Sequence, residues 1–351
     1  MAHNGTSDAI AGAIDVGYGN TKYTFRDAQG NVRCGIFPSI TNWSTADQSK
    51  AVIGDRRETV VLRVGRMYHE VGPDIAAARG RYRASNMHDG YVETPEYQAL
   101  VKGALHYIGE DRLDVLVLGL PVRHLIAKRA SLERAWEGEH ELANGKTVIV
   151  DKVRVFAQPQ GALACFSATT GNKSVTRGDL NLVIDPGQRT FDWLVSRGMT
   201  LIQQQSSSTD RGMFDIVRTI AEMISTDLGV DYQDFEAIDR AIRSGKPMTL
   251  YQQPYDIKRF KPIVEQVTRE AVARLLENVR DVASIQNILL VGGAAEVFKP
   301  AVKEAFRKHR ITDIDEPVFA NVRGFQVIAD ELLARRRSNP APAQPVDAGA
   351  V

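Results

Sequence analysis

The strongest constraint on this chain is a turn that occurs twice. One copy is Ala13-Ile-Asp15-Val-Gly17-Tyr18-Gly19-Asn20-Thr21-Lys22 and the other is Val183-Ile184-Asp185-Pro186-Gly187-Gln188-Arg189-Thr190-Phe191-Asp192, each near the start of one half. Both copies have an apolar run, then Asp-x-Gly, then an alternating segment, Lys22 to Phe25 in the first and Thr190 to Val195 in the second. That pattern reads as a β-hairpin with a tight turn. Glycine there lets a phosphate approach the backbone, and successive turn N–H groups form an anion-binding concavity. Aspartates facing phosphate are repelled by it unless a cation lies between, so each Asp-x-Gly implies Mg²⁺ held largely through water. A single such turn suits an ordinary hairpin equally well. Two copies imply two related domains clasping one nucleotide.

A third glycine site lies downstream, in Ile288-Leu-Leu-Val291-Gly292-Gly293-Ala294-Ala295-Glu296-Val297-Phe298. A buried aliphatic strand runs into Gly-Gly and then a helix, which would let a flat or charged ligand lie against the backbone. Taken alone, it could equally be a plain strand-to-helix turn. Just before the second hairpin, Gln158-Pro159-Gln160-Gly161-Ala162 opens a helix of small residues. A glutamine there could orient a water for in-line attack, since positioning supplies most of the catalysis in phosphoryl transfer. The alternative is a simple polar helix N-terminus. Two look-alikes are excluded. Asn144-Gly145-Lys146-Thr147 resembles the end of a Walker loop, but His140 stands where its first glycine belongs. Gly17-x-Gly19-x-x-Lys22 has lysine at the third glycine of a dinucleotide fingerprint and leads into a strand, which argues against Rossmann binding of NAD.

Composition removes other classes. The 351 residues, 43% hydrophobic and 25% charged, suffice for two domains with substantial cores. A net charge of +1 gives no general electrostatic reason to bind nucleic acid or anionic membrane. The two cysteines, Cys34 and Cys165, read as reduced core residues. The N-terminus lacks the pattern of a signal peptide, and no run approaches the roughly 20 apolar residues of a membrane helix. The expectation is a soluble, cytoplasmic protein without membrane partners.

Along the chain, residues 1–9 are expected to be disordered and the first sheet to begin at Ile10. Residues 38–91 read as an inserted, polar subdomain with Arg56, Arg57, Arg79, Arg81 and Arg83. Tyr97, Leu100, Val101, Ala104, Leu105 and Ile108 form one helix face, and residues 113–120 a central strand ended by Pro121. A helix over 123–136 and a hairpin over 139–158 about Asn144-Gly145 follow. The second half is expected to carry a strand over 199–208 and helices over 210–224, 234–243 and 260–282. A terminal helix is expected to end near Arg337, before a disordered tail over 338–351.

Asp15-x-Gly17 with Lys22, Asp185-x-Gly187-x-x-Thr190-x-Asp192 and Val291-Gly292-Gly293-Ala294, in this order, resemble the phosphate-1, phosphate-2 and adenosine motifs of the actin, heat-shock chaperone and sugar kinase superfamily. The resemblance covers about residues 10–337. Within it, the chain looks most like the bacterial actin-like ATPases of the ParM/StbA plasmid-segregation type, including the version encoded with PRTRC-system genes. The resemblance implies an α/β, actin-like (ribonuclease H-like) two-domain fold with a nucleotide cleft between the domains. Residues 10–182 would form domain I, and 183–337 domain II with its C-terminal helix returning to domain I.

The same resemblance implies site roles. Asp15 and Asp185 would face Mg²⁺, with Asp185 also catalytic. Gly17, Tyr18, Gly19, Asn20 and Thr21 would hold the β- and γ-phosphates of ATP or ADP together with Gly187, Gln188, Arg189, Thr190 and Asp192, and Lys22 would neutralise their charge. Gln158 would position the attacking water, with Gln160 as the alternative. Gly292, Gly293 and Ala294 would line the adenosine pocket, opposite Arg211 and Gly212. Gln188 and Arg189 depart from the usual small residues, and Arg189 either meets the γ-phosphate or points away. The implied activity is an ATPase that polymerises head to tail and segregates plasmid DNA through a DNA-binding adaptor of the ParR type. A non-filamentous actin-fold scaffold and a small-molecule kinase remain as alternatives.

Overall fold

The structure, a computed structural model, describes residues 9–47, 57–75 and 90–338. The N-terminal segment before residue 9, the tail from 339 and parts of the expected insertion, with Arg56, Arg79, Arg81 and Arg83, lie outside the described residues.

In the first half, Ala11–Val16 (β1) is buried throughout and pairs antiparallel with Asn20–Arg26 (β2), which pairs with Val32–Pro38 (β3). Asn42–Ser44 (β4), Val60–Val64 (β5) and Met67–Val71 (β6) form a separate small sheet, inside the region expected to be an insertion. Pro95–Ile108 (α1) starts at Thr94, whose hydroxyl accepts the Tyr97 N–H, and stops at Gly109 with φ 80°. Its buried face is the one read from the sequence.

Arg112–Leu113 (β7) leads to Val115–Leu120 (β8), which runs parallel to β1 and is fully buried, as a strand covered on both faces must be. Leu125–Trp136 (α2), the hairpin Gly138–Glu141 (β9) with Thr147–Val150 (β10), and Val153–Ala157 (β11) complete this half. The expected hairpin over 139–158 is shorter. Asn144 and Gly145 make its turn at φ 59° and 71°, but Val153, Val155 and Ala157 are buried and β11 joins β8 in the main sheet. The main sheet order is β11-β8-β1-β2-β3.

Gln158–Thr170 (α3) and Ser174–Arg177 (α4) lead into the second half. Leu180–Pro186 (β12) and Phe191–Arg197 (β13) form its central hairpin, extended by Thr200–Leu201 (β14) and Ser207–Thr209 (β15). The strand expected over 199–208 is thus split, because Ser206 Oγ takes the Val195 N–H at 2.8 Å and the chain turns at 203–205. Met213–Leu228 (α5), Phe235–Ser244 (α6), the hairpin Met248–Leu250 (β16) with Gln253–Tyr255 (β17), and Lys261–Asn278 (α7) follow. Asn287–Leu290 (β18), Ala295–Ala305 (α8), Ile311–Asp313 (β19) and Ala320–Ser338 (α9) end the described chain. The sheet order β14-β13-β12-β18-β19 repeats the first: a hairpin on one side, two parallel strands on the other.

The halves are joined by crossing helices. α9 packs on β1, β8 and α3 through Val322, Phe325 and Ala329 against Ala11, Ala13, Val117 and Ala164. At the crossing, a Cβ on Gly324 would stand 1.6 Å from the Gly161 carbonyl oxygen, and one on Gly161 would stand 2.2 Å from that of Asn321. Among the described residues, no helix is long and apolar enough to cross a membrane.

The backbone contact at this crossing leaves no room for a methyl group, so Gly324→Ala should destabilise the protein by about 3 kcal/mol or more. Urea denaturation should show this against Gly178→Ala, a control for glycine replacement at a site where nothing lies within 4 Å and the backbone needs no positive φ. A Gly324→Ala protein no less stable than that control would contradict the tight crossing.

Candidate nucleotide site

The two hairpin turns are closed in the same way. Gly17 N–H donates to Asn20 O at 3.1 Å, and Gly187 N–H to Thr190 O at 2.7 Å. Both glycines are tight, with a Cβ at Gly17 falling 3.1 Å from Asn20 O and one at Gly187 falling 3.3 Å from Thr190 O. Residues of both turns line one cleft of about 420 Å³, a size that suits a small organic ligand. Gly17, Tyr18, Gly19, Asn20 and Lys22 line it from one half, Gly187, Gln188 and Thr190 from the other, and Gly292, Gly293 and Ala294 at one end.

The cleft floor holds carboxylates in unequal settings. Asp15 faces Lys22 across β1 and β2, with Lys22 Nζ at 3.1 Å from Oδ2. Gln158 Nε2 donates to the other oxygen, Oδ1, at 2.7 Å. Asp185 faces another acid, Asp192, across β12 and β13. Its neutral partner is Asn321, whose Nδ2 donates to Oδ2 at 2.7 Å. Burial, above all, pushes the Asp185 carboxyl up to about 7; the charges of Asp192 and Asp15 add to this, while Asn321 and Lys22 oppose it. Asp192 is also raised by burial, although it accepts Thr190 Oγ1 at 2.5 Å and Val122 N at 3.3 Å.

Gln158 and Asn321 occupy corresponding places. Each sits in the first turn of the helix that follows the fifth strand of its half, and each donates to the aspartate of that half. Three residues after each comes the crossing glycine, Gly161 or Gly324. The positive ends of two helices thus meet the two carboxylates.

Several expected site residues lie elsewhere. Gln160 turns back, accepting Ala157 N at 2.9 Å and donating to Met199 O at 2.9 Å, so it stabilises the helix start and does not line the cleft. Thr21 is buried behind the first turn, where its hydroxyl meets Ser39 Oγ at 3.0 Å and Ser39 Oγ donates to Gly17 O. Arg211 is held by Asp215 and Glu270 and lies outside the cleft lining. Gly212 lies beneath the second turn, where its N–H meets Arg189 O at 2.9 Å and a Cβ would come 2.4 Å from Arg189 C. Arg189 also lies outside the lining, over the Tyr18 ring and near Asp210.

The structure adds residues that sequence reasoning missed. Asn321 and Val318 line the cleft, as do Asp239 and Arg243 on α6. Asp239 and Arg243 pair at 2.7 Å with i,i+4 spacing, and Arg243 Nη1 donates to Gly293 O. Their spacing was visible, but such pairs are common on solvated helices. Gly292 has a further role, since its φ is 85° and a Cβ would lie 2.1 Å from Asp185 Oδ1.

The raised carboxyl of Asp185 has a pH consequence. Its proton is held more tightly in the folded state than in the unfolded chain, so stability present below about pH 4 is lost as pH rises towards about 7. Asp185→Asn should flatten that decline and make the ligand-free protein more stable at pH 8, by on the order of 1–3 kcal/mol. Urea melts of both proteins at pH 5 and pH 8 measure it; parallel pH dependences would refute the assignment.

Comparison with known proteins places this geometry. Residues 13–161 match the family of actin-like proteins, N-terminal domain, and residues 183–304 the C-terminal domain of the archaeal actin homologue MreB-like family. No curated protein sequence matches the chain. Among solved structures, the archaeal actin homologue Ta0583 is 22% identical, with a TM-score of 0.73 over 92% of this chain and 99% of that one. The apo ParM of pSK41 is 18% identical, with a TM-score of 0.67 over 94% and 100%. A subunit of a 15-stranded ParM filament from Clostridium botulinum is 20% identical, with a TM-score of 0.71 over 92% and 99%. With both halves matched by actin families and one fold shared across nearly its whole length, the chain belongs to the actin-like proteins.

Proposed function

We propose that the protein is an actin-like ATPase of the ParM type, which binds Mg-ATP in this cleft and assembles into filaments. The observation that carries the reading is the pair of glycine turns meeting across one cleft, with Asp15, Gln158 and Asp185 at its floor. Ta0583 has also been solved in complex with ADP, which supports the nucleotide reading. The residues fit such a ligand. The turn glycines line the cleft, Lys22 brings a cation, and Asp239 Oδ1 and Asn321 Oδ1 are buried acceptors without a hydrogen-bond partner. Asp239 stands beside Gly293 through Arg243, where a sugar hydroxyl or base amine could satisfy its free oxygen.

Roles for the floor residues follow from their bonds. Asp185 and Asp192 form an acidic pair without a lysine partner, so Asp185 is the carboxylate that gains most from a divalent cation held through water. Asp15 is tied to Lys22 and Gln158, and would share in holding the same cation. With its Nε2 engaged by Asp15, Gln158 is left with Oε1 to accept a hydrogen bond from a water and aim it. When bound, Mg-ATP supplies a terminal phosphoryl group that can pass to water. The protein's share is to hold phosphates on turn amides, offset their charge with Lys22 and orient that water. Asp192 is engaged by Thr190 and Val122, so it is poorly placed as the base a small-molecule kinase would need.

Head-to-tail assembly is heterologous and does not close, and a ParM filament is among the similar structures. In the cytoplasmic setting we propose, such filaments would move plasmid DNA through a ParR-type adaptor, with DNA contacted only indirectly.

Right-angle light scattering with parallel phosphate release tests this reading. Mg-ATP should raise the scattering, and the signal should decay as phosphate appears; Asp185→Ala should abolish both. A flat trace in protein that binds ATP would sink the filament. Gln158→Ala should lower the hydrolysis rate about 100-fold while retaining nucleotide binding. Gln160→Ala should leave hydrolysis per folded molecule within about threefold and lower the melting temperature instead. If the two substitutions affect turnover equally, the assignment of Gln158 is wrong.

A further inference from the structure

Beside the cleft lies a set of side chains that the phosphate chemistry does not use. The Arg189 guanidinium carbon stands 5.0 Å from the centroid of the Tyr18 ring, and Arg189 Nε is 3.4 Å from Asp210 Oδ1. The same Asp210 oxygen takes Arg123 Nη2 at 2.5 Å. Tyr18 is in the β1–β2 turn and Arg123 follows β8, both in the first half. Arg189 is in the β12–β13 turn and Asp210 follows β15, both in the second. The two turns also touch directly, since a Cβ on Gly19 would lie 2.9 Å from Gln188 Cβ.

The set is built to hold. Tyr18 is backed by a stacked Tyr91 at 5.3 Å, and Tyr91 packs edge-on against Tyr97. The side chain of Arg189 is only 15% exposed, which strengthens its attraction to the ring face. Asp210 is 55% exposed, so either of its ion pairs alone would be weak. Two arginines from opposite halves on one carboxylate oxygen make a linked network. Burial works against the Asp210 charge, but the Arg123 hydrogen bond and the charges of Arg123, Arg189 and His124 outweigh it and hold the carboxyl below its usual range.

We propose that Tyr18, Arg189, Asp210 and Arg123 form a clasp that keeps the two phosphate turns together and must part before a nucleotide can leave. They are positioning residues: they act on the ligand through the turns that carry them, and they set how fast it dissociates. The inference rests on the reading of the cleft as a nucleotide site. It also accounts for arginine at position 189, where a side chain tied across the halves substitutes for the small residue expected in a phosphate turn.

The test is stopped-flow release of a fluorescent ADP analogue, in Mg²⁺, chased with unlabelled ATP. Arg189→Gln and Asp210→Asn should each speed dissociation roughly tenfold and speed association as well, since a contact that must part for exit must part for entry along the same path. The double variant should be no faster than about twofold beyond the faster single one, because either change opens the same clasp. Arg189→Lys, which keeps the charge but not the flat contact with Tyr18, should fall between. Unchanged release in folded variants, or fully multiplicative effects in the double variant, would overturn the clasp. If Arg189→Gln fails to fold, the exposed Asp210→Asn decides alone by the same criterion. No binding of the analogue by the unaltered protein would overturn the nucleotide reading itself, and the clasp with it, before any variant is compared.

Discussion

Like charges gathered in a buried place are the constraint around which this molecule is arranged. Asp15, Asp185 and Asp192 are all nearly inaccessible, and Asp15 and Asp192 each bear on the proton affinity of Asp185 or face it across a strand pair. A protein interior tolerates such a cluster only if each charge finds compensation. Lys22 compensates Asp15, and Thr190 with Val122 hydrogen-bonds Asp192. Asp185 has one neutral amide, Asn321. On the proposed function, the deficit at Asp185 is what a cation-bearing ligand would relieve.

That imbalance is written on a repeated plan. Both halves use a hairpin flanked by two parallel strands, and in both the helix after the fifth strand donates an amide to the hairpin aspartate. The repeat breaks at one cross-strand pair: Asp15 faces Lys22, whereas Asp185 faces Asp192. A symmetric pair of lysines would neutralise the site without a ligand. A symmetric pair of acids would add a further buried charge. On the proposed function, the difference between the halves would decide which aspartate takes the metal. Gln158 is longer than Asn321 by one methylene, and its free oxygen is the better candidate for reaching beyond the floor.

The fold was legible because its signals are local. The two Asp-x-Gly turns, the fully buried strands at 11–16 and 115–120 and the apolar face of 95–108 all follow from period and turn chemistry. The strand over 199–208 misled because a serine hydroxyl takes the place of a ladder bond, which no periodicity reveals. At the site, the residues read from the turn tips line the cleft except Arg189, which lies over the Tyr18 ring. Thr21 and Gly212 do not, because a small residue near a glycine turn serves equally to support it from behind. Asn321, Asp239 and Arg243 could not be seen in advance, for their relevance comes only from the distant chain they meet.

The crossing of α3 and α9 links these levels. Gly161 and Gly324 let the two backbones touch, and the residues one turn earlier, Gln158 and Asn321, are thereby delivered to Asp15 and Asp185. A side chain at either glycine would push the helices apart, and the first consequence would be felt at the carboxylates. The separation of the helices and the charge balance of the floor are therefore one variable, controlled by backbone contact. Rotation of one half against the other, about this crossing, would change both amide contacts together. Such a hinge needs no flexible segment, only two helices that meet at a point where neither has a side chain. On the proposed function, the floor would register the relative setting of the halves, and the turns above it what is bound.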